Sequence, residues 1–189
     1  MISYILSATA AVSVIAVFAA IFVDFVLYGQ NNLIKKSKRS IVATGSMTCF
    51  YVVYYLILRF RLGCIVFSSM PIVIFGTAMI VMGAVVNLLG RLQLKGNWAN
   101  HIKIYRGHTL VNHGVYGIVR HPLYASIMLM LFGGSLAYRN WLSAALTLFV
   151  FIPFMYYRAK QEESLLEEEF AEYEEYRNKT GMFFPRIWR

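Results

Sequence analysis

The chain has 189 residues, of which 59% are hydrophobic and only 14% are charged, and its mean hydropathy is +0.58. A soluble domain is about 45–50% apolar and about 25% charged, so this composition excludes an ordinary soluble domain and predicts a membrane protein. The formal charge of +9 is explained better by membrane orientation and anionic head groups than by nucleic-acid binding, because the basic residues flank apolar segments.

Apolar segments of sufficient length predict five transmembrane helices. A bilayer core of about 30 Å needs about 20 helical residues to cross it. The first three segments are residues 3–28, 41–60 and 65–89. A fourth apolar tract, 123–157, is too long for one span and contains the polar turn AYRN, so we expect two short helices over about 122–137 and 141–158. The expected fold class is an all-α integral membrane protein.

The basic residues predict the orientation of these five spans. All but three of the 18 Lys and Arg residues fall in the segments after spans one, three and five; the exceptions are Arg59, Arg61 and Arg139. Lys and Arg are retained on the cytoplasmic side. The N-terminus is therefore expected outside, and the C-terminus and the basic half of the chain in the cytoplasm.

The chain is expected to form a single membrane domain, 1–189, with two halves of different composition. Residues 1–90 are nearly featureless and are interpreted as a three-helix scaffold. The polar exceptions there are Asp24 and Asn87, and two glycines on one helix face, Gly76 and Gly83, suit close helix packing.

The second half, 91–189, is expected to carry the chemistry. It begins with a polar connector, 91–121, that is rich in Gly, His and Tyr. Loops longer than about 12–15 residues without regular structure are usually functional or disordered, and the aromatic content of this one argues against disorder. We expect the connector to fold back onto the helix ends.

After the helical hairpin the sequence predicts a C-terminal amphipathic helix. Leu165, Phe170, Tyr173 and Tyr176 recur near the helical period, so span five is expected to continue out of the bilayer and to end near residues 178–181. Most of its glutamates are interpreted as a solvated face.

Polar and aromatic residues gather where the connector meets this helix. Arg158 and Glu162 are four residues apart and therefore lie on one helix face. The facing residues lie in the connector and in the first turn of the helix after it: His108, Gly114, Tyr116, Arg120, His121 and Tyr124. Each residue taken singly has a structural explanation; Pro122, for example, suits the first turn of a helix. Together they predict a cytoplasmic pocket for a polar ligand that has a flat ring and charges of both signs.

Several other kinds of site receive no support from the sequence. No glycine-rich turn joins a strand to a helix, which argues against a dinucleotide fold or a P-loop. The four histidines, His101, His108, His113 and His121, lie in no metal-binding spacing, so no metal is expected.

The segment HTLVNHGVYGIVRHPLY, followed by an apolar hairpin and RAKQEESLLEEEFAEYEEYRNKTGMFFP, resembles the C-terminal half of the isoprenylcysteine carboxyl methyltransferase family. The matching elements are HxLV, GxY, RHPxY and R-x-x-x-E-E, and the resemblance covers about residues 100–187. The size and the five-span plan are similar to a minimal prokaryotic member. The resemblance implies an S-adenosylmethionine-dependent membrane methyltransferase whose acceptor is a lipid or a prenylated group in the bilayer.

The resemblance also implies roles for individual residues. Glu162 matches the acid that contacts the cofactor, and Arg158 matches an arginine on the substrate side. His101 stands where the family often has Gln, so its role is open. The cofactor-binding segments correspond to His108, Thr109, Leu110, Val111, Tyr116, His121, Pro122, Leu123 and Tyr124. Gly114 and Arg120 are added as cofactor-binding candidates by their position in the connector.

Two acceptor chemistries remain open. A carboxylate is already ionised at pH 7 and needs no base, and Arg158 is suited to holding it. An amine acceptor, such as a phospholipid amine, needs a base, for which Glu163 is the candidate; the catalytic candidates are thus Arg158, Glu162 and Glu163. Further alternatives are an NADPH-dependent enzyme resembling sterol reductases and a non-catalytic membrane adaptor or small transporter. Oligomeric state and lid motion are not indicated.

Overall fold

The computed structural model describes residues 2–28, 33–36, 40–64, 69–94, 103–105 and 109–186. The helices are α1 Ile2–Tyr28, α2 Ser40–Arg59, α3 Met70–Leu94, α4 Pro122–Ala137, α5 Trp141–Leu146, α6 Ile152–Glu169 and α7 Tyr173–Lys179. A 3-10 turn forms over Gly114–Gly117, and a π-helical turn over Thr147–Phe151 joins α5 to α6. Two short strands, β1 Leu33–Lys36 and β2 Lys103–Tyr105, pair in an antiparallel ladder.

Three of the described helices are long and apolar enough to cross a membrane: Tyr4–Asp24, Met70–Leu94 and the continuous helix Trp141–Glu169. Two shorter apolar helices accompany them, Ser46–Arg59 and Pro122–Ala137. In the continuous helix the apolar run ends at Tyr157, and charged residues follow from Arg158 onward. The part of the helix from Arg158 to Glu169 is therefore too polar to lie in the bilayer core.

The predicted bounds of the first hairpin helix are confirmed, whereas the second helix is not short but continues from Trp141 to Glu169. Helix α4 covers Pro122–Ala137 with Pro122 in its first turn. The next helix starts at Trp141, where the Asn140 side chain accepts a hydrogen bond from the Ser143 backbone N–H at 2.9 Å. The same side chain donates to the Leu62 carbonyl at 2.7 Å, so the polar turn also attaches the hairpin to the loop after α2.

The third helix differs from its predicted bounds of 65–89. It runs from Met70 to Leu94, so Arg91 belongs to the helix. The sequence analysis had assigned Arg91 to the connector. A hydropathy pattern predicts that a span ends at its first charged residue. Arg91 does not end the helix, because it is buried in contact with Asp24 and Asn87. A charge that finds partners inside the fold does not end a helix.

The predicted C-terminal helix is wrong in one respect, because it does not continue to residues 178–181. Helix α6 ends at Glu169, Phe170 adopts an extended backbone (φ −118°, ψ 111°), and the separate helix α7 follows. The break turns the chain back and buries Tyr173 to 1% and Tyr176 to 8% exposure. A straight helix would leave both rings in water.

The connector also contains structure that the all-α expectation omits. Strand β2 pairs with β1, with Leu33 opposite Tyr105 and Lys36 opposite Lys103. Backbone pairing between segments this distant leaves no trace in helical periodicity.

Helices α3 and α4 pack closely along the predicted glycine face. A Cβ on Gly76 would lie 2.5 Å from the Gly133 carbonyl oxygen, and one on Gly83 would lie 2.8 Å from the Ser126 carbonyl oxygen. The expectation of close packing at Gly76 and Gly83 is therefore confirmed, and it places the start of α4 against the end of α3.

A hydrophobic cluster lies between α2, α4 and the continuous helix. Its buried members are Met128, Phe151 and Met155. Helix α2 joins it through Phe50, whose ring centroid is 4.7 Å from that of Phe151. Tyr54 holds the other end of α2, donating to the Leu131 carbonyl at 2.6 Å. Tyr124, which belongs to the site, packs against this cluster.

Candidate active site

The connector reaches the site through the 3-10 turn at Gly114. Gly114 has φ +59°, and the Gln93 amide occupies the place that a Cβ would take. The Gln93 Oε1 also accepts the Val115 backbone N–H at 2.9 Å, so the end of α3 fixes the turn. Gln93 is a positioning residue that the sequence analysis did not identify, since a polar residue at a helix end is unremarkable in sequence.

Tyr116 in this turn is buried beneath the C-terminal segment. Its carbonyl accepts the Tyr176 hydroxyl at 2.7 Å. Burial raises the pKa of Tyr116 and of Tyr176 above the usual range, so both hydroxyls stay protonated. Helix α7 is thus held on the connector.

The Tyr124 hydroxyl bridges the predicted Arg158 and Glu162 pair. Arg158 Nε–H donates to this hydroxyl at 3.1 Å, and the hydroxyl donates to Glu162 Oε2 at 2.8 Å. Arg158 is only 6% exposed, whereas the Glu162 side chain is 36% exposed. The buried cation and the partly open carboxylate therefore share one phenolic hydroxyl.

His121 packs against this bridge. Its ring is parallel to that of Tyr124, with an interplanar angle of 2° and centroids 5.4 Å apart. Its Nδ1 lies 3.7 Å from Glu162 Oε2, and its Nε2 lies 3.1 Å from Glu163 Oε1. Each ring nitrogen therefore faces a different carboxylate.

Arg120 and Glu163 form a buried joint beside these residues. Arg120 Nε–H donates to Glu163 Oε1 at 2.8 Å. Its Nη1 donates to the carbonyls of Arg177 and Thr180 at the end of α7, where a cation is favoured by the helix dipole. Arg120 is thus engaged in holding α7 against α6.

These contacts keep Glu163 ionised. Burial by itself would raise the pKa of Glu163, but hydrogen bonds with His121 and Arg120 outweigh burial and lower the pKa to about 2. A carboxylate with so low a pKa is a weak proton acceptor. Glu163 is therefore poorly suited to act as a general base.

The C-terminal segment covers one side of His121. The backbone N–H groups of Arg120 and His121 donate to the carbonyls of Gly181 and Met182 at 2.8 and 3.1 Å. The Phe183 ring then lies 6.0 Å from the His121 ring and packs against the hydrophobic cluster. This covering was not foreseen, since it depends on the turn at Phe170.

Helix α2 contributes Met47 and Tyr51 on the other side of Arg158. Arg158 Nη1–H contacts the Met47 Sδ at 3.4 Å. The Tyr51 ring centroid is 5.9 Å from that of Phe151. Neither residue stands out in sequence, because both lie in an apolar helix.

A second polar network connects the scaffold half to the site. Arg91 Nη1 donates to Asp24 Oδ2 at 2.6 Å and its Nε donates to Asn87 Oδ1 at 2.8 Å. Asn87 Nδ2 then donates to Ser126 Oγ at 2.7 Å. This network attaches α1 and α3 to the first turns of α4. Asp24 and Asn87 were detectable as polar residues in apolar helices.

The remaining predicted residues occupy varied positions. Thr109 is exposed, and Leu110 and Val111 are partly buried in an irregular segment before the turn. Pro122 is buried at the start of α4, where Leu123 lies against Gly90. His101 and His108 lie outside the described residues. Within the described part of the chain, no group of three or more His, Cys, Asp or Glu side chains is arranged to hold a metal.

Comparison with known proteins identifies the family. The sequence model of the isoprenylcysteine carboxyl methyltransferase (ICMT) family matches residues 70–168, more than half of the chain. The protein belongs to the ICMT family. The matched range includes α3, α4 and most of the continuous helix, and with them Tyr124, Arg158 and Glu162.

Individual ICMT relatives are similar over different lengths. The protein-S-isoprenylcysteine O-methyltransferase of Saccharomyces cerevisiae is 28% identical over 179 residues, which cover 88% of this chain and 75% of the yeast protein. A probable protein-S-isoprenylcysteine O-methyltransferase of Oryza sativa subsp. indica is 31% identical over 115 residues, covering 59% of this chain and 60% of the rice protein.

The fold resembles that of a solved ICMT structure. The eukaryotic intramembrane Ras methyltransferase ICMT superposes with a TM-score of 0.57 at 22% identity, covering 82% of this chain and 55% of that chain. The chain thus spans little more than half the length of the solved enzyme. ICMT membership confirms the resemblance seen in sequence, the methyltransferase class and the integral membrane character.

Proposed function

We propose that this chain transfers a methyl group from S-adenosylmethionine to the carboxylate of a lipophilic acceptor, with a prenylated cysteine as the leading candidate. The bridge in which the Tyr124 hydroxyl joins buried Arg158 to partly exposed Glu162 carries this proposal. Through one hydroxyl it joins a buried cation suited to an acceptor carboxylate and a partly exposed carboxylate suited to a cofactor. The names of the yeast and rice relatives support the prenylated cysteine.

The side chains present fit S-adenosylmethionine by their chemistry. Glu162 is open enough to accept hydrogen bonds from hydroxyl or amino groups of the cofactor. When bound, the cofactor supplies a methyl group on a cationic sulfur. We propose that His108, Thr109, Leu110 and Val111 supply further cofactor contacts. The other cofactor-binding candidates would shape the wall of the pocket through the packing described above: Gly114, Tyr116, Arg120, Pro122 and Leu123.

The reaction needs orientation more than acid-base chemistry. An acceptor carboxylate oxygen forms a bond to the methyl carbon, while the electrons of the breaking carbon–sulfur bond return to sulfur. No proton has to move. Arg158 would hold the acceptor carboxylate in line for this displacement, and the apolar cluster below it would exclude water.

The contacts of Glu163 support a carboxylate acceptor over a phospholipid amine. An amine has to lose a proton, and Glu163, the base expected from sequence, is engaged by Arg120 and His121. A cationic amine would also be repelled by Arg158. ICMT membership favours a methyltransferase over the sterol-reductase-like enzyme and the non-catalytic adaptor.

We further propose that all five apolar helices cross the bilayer as one domain, with the N-terminus outside and the site in the cytoplasm. Helix α4 has 16 residues, which at about 1.5 Å per residue fall short of a bilayer core of about 30 Å. Its first turn would therefore lie slightly inside the membrane boundary. That position would bring Tyr124 within reach of both a soluble cofactor and a lipid.

Binding and transfer assays on detergent-purified protein test the proposal. We expect labelled S-adenosylmethionine to bind the wild-type protein and to lose affinity in a folded Glu162→Gln variant. Transfer of the labelled methyl group to N-acetyl-S-farnesylcysteine should yield a base-labile ester. A folded wild-type protein that binds no cofactor at millimolar concentration would overturn the proposal.

A further inference from the structure

We propose that Met47 determines acceptor specificity, because its thioether occupies the position on Arg158 that an acceptor carboxylate takes. The inference rests on the proposed function and adds a residue of α2 to the acceptor side. It explains how a buried arginine can be stable without substrate and still select an anionic substrate.

The contacts of Arg158 provide the first argument. Its Nε donates to Tyr124, whereas its Nη1 donates to the Met47 Sδ at 3.4 Å. A thioether is a weak acceptor, and hydrogen bonds between a guanidinium and a carboxylate are about twice as strong as neutral ones. An acceptor carboxylate therefore gains by replacing the thioether, whereas a neutral head group gains little and an ammonium is repelled.

The side chain of Met47 is able to move without a change in the fold. Methionine is unbranched and adopts many rotamers at small cost. Helix α2 is fixed independently of Met47, because Tyr54 bonds the Leu131 carbonyl at 2.6 Å and Phe50 packs on Phe151. Exchange at Arg158 thus requires rotation of one side chain only.

The surroundings of Met47 match an acceptor whose carboxylate adjoins a lipid chain. Met47 packs on the cluster of Phe151, Met155 and Met128, together with Tyr51. After rotating away from Arg158 it would still contact apolar atoms, so little apolar surface would be exposed. The position left beside Arg158 would then be bordered by apolar groups on one side and by the Tyr124 phenol on the other.

Two nearly isosteric substitutions test the inference. In Met47→Glu a carboxylate of the protein itself would engage Arg158, whereas Met47→Gln has the same size without the charge. We expect the KM for N-acetyl-S-farnesylcysteine to be about ten- to a hundredfold higher in the Glu variant than in the Gln variant, as one charge-assisted hydrogen bond implies. The two variants should bind S-adenosylmethionine with affinities that agree within about twofold, because neither substitution alters a cofactor contact.

Asn178→Glu provides the control, because the substitution adds the same charge at an exposed position of α7, outside the apolar helices. Its acceptor KM should stay near the wild-type value. A further variant, Met47→Leu, removes the sulfur acceptor and retains an apolar side chain; its acceptor KM should fall by about two- to fivefold, since a weak hydrogen bond no longer competes for Arg158.

Equal acceptor KM values in Met47→Glu and Met47→Gln would overturn the inference, and so would an unchanged KM in Met47→Leu if the Glu variant does not fold. Failure of the proposed function is seen separately, because the wild-type protein would then bind no S-adenosylmethionine and methylate no acceptor.

Discussion

The Tyr124 hydroxyl donates to Glu162 Oε2 at 2.8 Å, across 38 residues of sequence. The contact joins the helix that enters the hairpin to the helix that leaves it. Since Arg158 donates to the same hydroxyl, this phenol links Arg158 and Glu162, and in the proposed function it would couple the cofactor to the acceptor.

Removal of the Tyr124 hydroxyl should impair both catalysis and folding. Tyr124→Phe retains the ring beside His121 but loses two hydrogen bonds to charged groups, each worth about 1.5–3 kcal/mol. We expect kcat/KM to fall by at least about tenfold, and the unfolding temperature to fall as well, because buried Arg158 loses a partner. Tyr55→Phe, at a 62% exposed position on α2, serves as the control. Full activity in Tyr124→Phe would contradict the bridging role.

Glu163 should make stability dependent on acidic pH. Its folded pKa of about 2 lies below the ordinary value of 4.5, so its ionised form stabilises the fold above about pH 4.5. This contribution is lost as the pH falls from 4.5 towards 2.

Thermal unfolding in detergent between pH 7 and pH 3 measures this effect. Glu163→Gln should unfold at lower temperature at pH 7 and should lose part of the decline seen in the wild type below about pH 4.5. Glu174→Gln is the control, because it removes a charge at an exposed position that has no buried partner among the described residues. Parallel pH profiles for wild type and Glu163→Gln would refute the prediction.

The Arg91 and Asp24 pair should be strongly coupled. Because both side chains are buried, Asp24→Ala deprives Arg91 of its carboxylate, and the expected cost is about 3–5 kcal/mol. Arg91→Met in the Asp24→Ala background should recover much of that loss. A double-mutant cycle in unfolding free energy measures the coupling, and additive effects would show that the pair contributes nothing specific.

Gly114 should tolerate no side chain. Alanine there would have to adopt φ +59° and to displace the Gln93 amide, so Gly114→Ala should weaken cofactor binding and lower the unfolding temperature. Gly117→Ala is the matched control within the same turn, since its nearest neighbouring atom lies 3.3 Å from the added Cβ. Equal effects of the two substitutions would argue against a special role for Gly114.

Cysteine labelling in intact cells tests the proposed orientation. In a background with Cys49 and Cys64 replaced by Ser, a cysteine at exposed Ile2, which precedes the first candidate span, should react with a membrane-impermeant maleimide. A cysteine at exposed Glu174 should react only after lysis. The reverse pattern would place the site outside the cell.

The sequence by itself determined the fourth helix, the turn after it and the family, but not the bounds of α3 or the break after α6. Hydrophobic length is a local property, so the bounds of α4 and the polar turn before Trp141 could be predicted from composition alone. The spaced elements around Tyr124, Arg158 and Glu162 were sufficient for the resemblance that the ICMT match confirms. Glycine spacing predicted that α3 packs closely against another helix, and the structure identifies that helix as α4.

Only the tertiary structure decided which groups meet. Charges on distant segments find partners according to how helix faces pack, so the pairs of Arg91 with Asp24 and of Arg120 with Glu163 have no signature in local sequence. The turn at Phe170 depends on burial of Tyr173, which a helical period does not reveal. Met47 is one apolar residue among many until packing places its sulfur on Arg158.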